Sequence, residues 1–312
     1  MTSARLPPSV SGERFEFSGA GTGRLSAYVA GEGEPLLLVH SINAAASAAE
    51  MRPLHEHYRA TRQVFSLELP GYGFAERGDR AYTPRLMTDA IHAMTTEIRR
   101  RCGDGPIDAL ALSLSCEFLA RAAAESPATY RSLALVSPTG FEGGRDRSGA
   151  PGTTLARPWL YGALRGPGWG GALFRGLTRP GVIRYFLRRT WGAEAIDEGL
   201  YEYSVITTRQ PGAEYAPLCF LGGGLFSADI HTIYDRLALP VWVSHGVRGD
   251  FTNYRRKTAF AQQPNWSFSV FQTGALPHFE VGERFVAGYD AFLKRTLPLD
   301  GGNPVGGRAS RR

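Results

Sequence analysis

The chain has 312 residues, 43% of them apolar and 11% aromatic, enough for one large domain or two small ones with a sizeable core. Its three cysteines, Cys102, Cys116 and Cys219, are too few and too scattered for a disulfide framework or a metal cluster. The start of the sequence shows no apolar segment of a secretory signal, no run reaches membrane-span length, and the net charge of +6 is only moderately basic. The expectation is a soluble, cytoplasmic protein, with no phosphate-binding glycine loop, metal-ligand spacing or nucleic-acid module in view.

Residues 1–12 are expected to be disordered. Arg14 to Phe17 and Leu25 to Val29 alternate in polarity around glycines and predict an antiparallel hairpin at a sheet edge. Leu36 to Val39 is a continuous apolar run of the kind buried on both faces of a parallel sheet, and it ends at His40-Ser41-Ile42-Asn43. A second run, Val64 to Leu67, leads into Leu69-Pro70-Gly71-Tyr72-Gly73. Thr83-Pro84 predicts a helix start, with Met87, Ile91, Met94 and Ile98 as the apolar face. His55, His57 and His92 fall on predicted helices and are expected to be solvated, whereas His40 is expected to be buried and structural.

Pro106 to Leu112 then reads as a buried strand that passes directly into a helix carrying Leu114, Phe118 and Leu119. A strand that becomes a helix without a loop must turn sharply, and a side chain at that corner projects clear of the backbone. Negative charge there meets the N–H groups of the helix N-terminus. With Ser113 at the corner, the flanking positions that need small side chains are Ala111 and Ser115. With Ser115 there, they are Ser113 and the bulky Glu117, so the spacing favours Ser113. Cys116 is expected to pack as a small apolar side chain.

Leu133 to Val136 predicts the next strand, ending at Ser137-Pro138-Thr139-Gly140. From about 141 to 235 the chain turns rich in Gly, Pro, Trp, Tyr and Arg and predicts an inserted helical cap. Strands resume at Leu239 to Ser244 and Trp266 to Phe271, and a closing helix carries Phe285, Tyr289, Phe292 and Leu293. Strands alternating with helices indicate a mostly parallel α/β sheet, whose ligands bind at the carboxyl ends of the strands. The predicted organisation is a core of 1–140 and 236–298, a cap of 141–235 and a disordered basic tail of 299–312.

These features in this order resemble the α/β-hydrolase superfamily over roughly residues 14–297. The motifs are His40-Ser41, Leu69-Pro70-Gly71-Tyr72-Gly73, the corner at Ser113, Gly246 to Asp250, and His278. The resemblance implies the chain order nucleophile, acid, histidine. Ser113 would be the nucleophile, and His278, in a loop after the last strand, the base that takes its proton. Asp250 lies just past the penultimate strand, where the superfamily keeps the acid that orients the imidazole. Its spacing is one residue longer than the common Gly-x-x-Asp, and Gly249 could absorb the difference as a bulge. The backbone amides of Leu114 and Ile42 would form the oxyanion hole, with the Ser41 and Ser115 hydroxyls expected to be small fillers.

The implied activity is cofactor-free cleavage of a carboxylic ester or thioester of a largely apolar substrate. Acyl transfer, C–C hydrolysis or a non-catalytic binding role on the same fold remain alternatives. Nine arginines and one acidic residue, Asp146, lie between Arg145 and Arg189, interleaved with Trp159, Tyr161, Trp169, Phe174, Tyr185 and Phe186 and followed by Trp191. That pattern suits either a solvated cap face or peripheral contact with an anionic membrane.

Overall fold

The computed structural model describes residues 5–144, 146–164 and 169–296. Strands β1 (Glu13–Gly19) and β2 (Gly23–Ala30) form the predicted antiparallel hairpin. With β3 (Pro35–Val39), β4 (Gln63–Glu68), β5 (Ile107–Leu112), β6 (Tyr130–Val136), β7 (Val241–His245) and β8 (Trp266–Val270) they make one eight-stranded sheet. Its order is β1-β2-β4-β3-β5-β6-β7-β8. β4 is antiparallel to β2 and parallel to β3, and every later pairing is parallel.

The apolar runs are continuous because both faces of the central strands are covered. Leu37, Val39, Ala109 and Ala111 point into one core with Met87, Ile91, Met94 and Ile98 of α2 (Pro84–Cys102) and Phe118 and Leu119 of α3 (Ser115–Glu125). Leu36, Leu38, Leu110 and Leu112 point into the other, with Leu54 and Tyr58 of α1 (Arg52–Tyr58). The helix start at Thr83 is as predicted: its hydroxyl accepts the Leu86 amide, and Pro84 occupies the first turn.

Six helices lie between β6 and β7 among the described residues: α4 (Pro158–Leu164), α5 (Gly170–Leu177), α6 (Pro180–Trp191), α7 (Glu198–Thr207), α8 (Tyr215–Leu221) and α9 (Ile230–Asp235). Two buried ion pairs fasten the 141–235 segment to α3. Arg147 Nη2 reaches both Glu117 oxygens at 2.7 and 2.8 Å, and Arg121 makes a two-point contact with Asp229. After β7 come α10 (Lys257–Phe260), α11 (Pro277–Glu280) and α12 (Gly282–Thr296), the last burying Phe285, Tyr289 and Phe292 in the second core. No helix among the described residues is long and apolar enough to cross a membrane.

The described part of the expected disordered N-terminus is instead packed. Leu6 and Val10 are buried, the Ser9 amide donates to Tyr28 Oη, and Ser11 makes two hydrogen bonds to Glu56. His55, expected in solvent, is fully buried between Ser66 Oγ and the Ser11 carbonyl. The expected basic tail lies outside the described residues.

Candidate active site

Ser113 sits between β5 and α3 with φ of +57°, a left-handed conformation that costs a residue with a Cβ roughly 1–2 kcal/mol. The strain holds because the corner is fixed on both sides. The Ser113 amide donates to the Val136 carbonyl at 2.8 Å, extending the sheet by one residue, and its carbonyl accepts the Cys116 amide as the helix begins. Ser113 is partly exposed, whereas the Ser115 hydroxyl is buried without a partner. The corner residue is therefore Ser113. Cys116 packs as expected, fully buried with its thiol on the Ala111 carbonyl.

The turn after β3 supplies the neighbouring wall. His40 is buried, accepts the Leu69 amide at Nε2, and donates from Nδ1 to the Ser41 carbonyl, so it is structural as expected. Burial lowers its pKa to about 4. Ser41 is not a filler: its amide and its hydroxyl both donate to the buried Glu50 carboxyl, at 2.8 and 3.0 Å. Asn43 Nδ2 donates to the same carboxyl at 2.7 Å, and Asn43 Oδ1 accepts the Ala45 amide. The Ile42 amide lies between these anchored residues. Neither it nor the Leu114 amide is committed to an acceptor among the described residues.

The turn before α2 is built around a second buried carboxyl, Glu68, which accepts the Phe74 amide and which burial raises to about 7. Gly73, at φ of +50°, passes so close that a Cβ would fall 2.0 Å from Glu68 Oε1. Glycine is required there by both conformation and space.

His278, in α11, is 1% exposed. Its Nε2 lies 2.8 Å from the main-chain carbonyl of Glu50. A carbonyl oxygen can only accept, so Nε2 carries the hydrogen, and the free lone pair is at Nδ1, which is buried without a partner. Burial lowers the imidazole pKa to about 4, so the ring is neutral at pH 7. No hydrogen bond joins it to Ser113 among the described residues.

Among the described residues no hydrogen bond joins His278 or Ser113 to Asp250. Its carboxylate is gripped by Arg189 of α6, Nε to Oδ2 and Nη2 to Oδ1, both at 2.6 Å, and its side chain is 38% exposed. Gly249 has φ of +78°, and a Cβ there would meet the Arg189 carbonyl at 2.3 Å. Rather than returning the acid to the imidazole, the extra residue turns the loop onto the end of α6, where the Asp250 amide also donates to the Arg189 carbonyl. Glu50 is the residue that sequence reasoning missed. An acidic side chain in an otherwise apolar Ala48-Ala49-Glu50-Met51 turn was the signal available.

No family model and no curated protein matches the sequence. Solved structures do match the fold. A serine hydrolase involved in carbazole degradation superposes with a TM-score of 0.69 at 15% identity, over 91% of this chain and 100% of its own. An esterase from Thermogutta terrifontis gives 0.69 at 18% identity, over 92% and 100%. A meta-cleavage product hydrolase from Pseudomonas fluorescens gives 0.69 at 14%, over 91% and 98%.

Proposed function

From an α/β-hydrolase fold with a strained serine at its corner, we propose that this chain is a serine hydrolase that cleaves a carboxylic ester or thioester of a largely apolar substrate. The observation that carries the proposal is the left-handed backbone of Ser113, held where a hydroxyl meets the start of α3. Backbone strain in a non-glycine residue persists only where the surrounding structure over-determines it, and such residues cluster at active sites. In this reading the Ser113 hydroxyl attacks the acyl carbon, and its proton passes to the neutral imidazole of His278. The Leu114 and Ile42 amides receive the oxyanion, and its collapse expels the alcohol or thiol as the imidazolium gives that group the proton. Water then releases the acyl group from Ser113 by the same steps. The structural neighbours include an esterase, a C–C bond hydrolase and an epoxide hydrolase. Serine rather than a carboxylate at the corner points to acyl chemistry, with acyl transfer or C–C cleavage as variants on the same groups.

The 141–235 segment serves here as a cap over the strand ends, tied to α3 by Glu117–Arg147 and Arg121–Asp229. Its exposed aromatic residues Trp159, Trp169, Tyr185 and Phe186, set among arginines, support peripheral contact with anionic lipid. Co-sedimentation with anionic vesicles that weakens in high salt is the expected result, and binding indifferent to salt or lipid charge would discard that contact.

A fluorophosphonate probe tests the hydrolase. The wild type should label and Ser113→Ala should not, and a p-nitrophenyl ester series then sizes the acyl pocket. A second reading, a non-catalytic binding protein, draws support from the engagement of Asp250 by Arg189 and of His278 Nε2 by Glu50. A folded wild type that resists the probe selects it.

A further inference from the structure

Among the described residues no acid contacts the imidazole, yet the imidazole is fixed. We propose that Glu50 is the positioning residue of this site, orienting His278 through its main-chain carbonyl and the oxyanion turn through its carboxyl. The inference rests on the serine hydrolase reading above.

Two independent sets of contacts converge on this one residue. Glu50 lies in a one-turn helix, Ala48–Met51, whose residues are all buried, and its amide is tied back to the Ser47 carbonyl at 3.0 Å. Its carbonyl accepts His278 Nε2–H at 2.8 Å. In the usual arrangement a carboxylate accepts the hydrogen of one ring nitrogen and leaves the other as base. Here a peptide carbonyl does the accepting, and it leaves Nδ1 as the nitrogen with a free lone pair. The acid-bearing loop is then free to serve the cap, which is where Asp250 is found.

The Glu50 carboxyl acts on the other half of the site. Oε2 accepts the Ser41 amide, while Oε1 accepts the Ser41 hydroxyl and Asn43 Nδ2. Asn43 Nδ2 also reaches Ser41 Oγ at 2.8 Å, which closes a small ring of hydrogen bonds around residues 41 and 43. The Ile42 amide is held from both sides by that ring, so its direction is set by Glu50 rather than by the loop's own conformation. No cation contacts this carboxyl among the described residues, and burial moves its pKa upward. An apolar side chain would be cheaper to bury, so a carboxyl at this position calls for a role.

Glutamine keeps the shape but offers one acceptor where the carboxyl offers two oxygens, so either the Ser41 amide or the Asn43 amide loses its partner. Glu50→Gln leaves the main-chain contact with His278 in place. An oxyanion donor that is loosened rather than removed should lower kcat for a p-nitrophenyl ester by about ten- to a hundredfold with KM within about twofold. The midpoint of the acid limb should stay where it is in the wild type, because the imidazole is still oriented. Asn43→Ala removes one donor from the ring while sparing the carboxyl, and should give a smaller fall in kcat, about three- to tenfold. It carries the test if Glu50→Gln does not fold.

Folded variants with wild-type kcat, or with the whole loss in KM, overturn the role of Glu50 while leaving the hydrolase reading intact. A wild type that neither labels at Ser113 nor turns over esters overturns both.

Discussion

Replacing Arg147 by methionine isolates the contact that fastens the 141–235 segment to the helix behind Ser113. In the wild type Glu117 is fully buried, and its carboxyl accepts Arg147 Nη2 at both oxygens, the Thr139 hydroxyl at 2.5 Å and the Ser227 amide at 2.9 Å. Methionine fills much of the arginine's volume but leaves Glu117 with only the two neutral donors. Removing one partner of a buried pair costs about 3–5 kcal/mol, chiefly because the surviving charge stays buried. At this chain length, about 2 °C per kcal/mol lowers the melting temperature by about 6–10 °C.

The pH dependence identifies the cause. Burial already raises the Glu117 pKa, with Arg147 foremost among the groups opposing it. Without Arg147 the folded-state pKa rises further above the unfolded value. The folded variant then binds a proton at pH values where the unfolded chain does not, and it gains stability as pH falls. Calorimetry at pH 8 and pH 5 should therefore show the gap to wild type narrowing at the lower pH. Adding Glu117→Gln to Arg147→Met should recover about half of the loss, since a neutral amide no longer needs the cation. A cost below about 1 kcal/mol, or one equal at both pH values, would refute the buried-charge account.

Ser113→Gly should melt above Ser113→Ala by about 1 kcal/mol, because only glycine relieves the left-handed strain at +57°; equal melting temperatures would remove the evidence for a strained corner. The pH profile of kcat/KM should fall on the acid side with a midpoint near 4, where His278 becomes protonated and can no longer accept the serine proton. A midpoint near the ordinary histidine value of about 6.5 would show that the ring is more solvated than its burial indicates. Asp250→Asn should lower kcat by less than about tenfold, since its carboxylate is engaged by Arg189. A loss of about 10⁴ would show that the acid reaches the imidazole during turnover.

Much of the fold was legible because its signals are local. Continuous apolar runs marked β3, β5 and β6 as buried on both faces, and the side chains of β3 and β5 alternate between the two cores. The choice of Ser113 over Ser115 followed from which neighbours are small, a constraint imposed by the turn itself. Thr83-Pro84 located the start of α2 because a cap and a proline act within one turn. The N-terminal residues 5–12 were misread for the opposite reason. They have no period of their own, and they are ordered by partners such as Tyr28 and Glu56, far along the chain.

The candidate site was legible in its residue types and less so in its pairings. A buried polar side chain is stable only with a partner, but nothing local says which partner. His55 finds Ser66 and Ser11, Glu117 finds Arg147, and Asp250 finds Arg189 at a separation of 61 residues. Motif order could place an acid after β7, yet the cation that engages it comes from α6, which has no fixed spacing to that strand. Ser41 shows the same limit at short range. Its small size was readable, but the carboxyl that captures its amide and hydroxyl sits on a turn nine residues away, and only the folded chain brings the two together. Burial drives such pairings, because a donor withdrawn from water is costly to leave without an acceptor. Asp250 and His278 thus take their partners from packing, which leaves the corner serine as the element that local sequence alone determines.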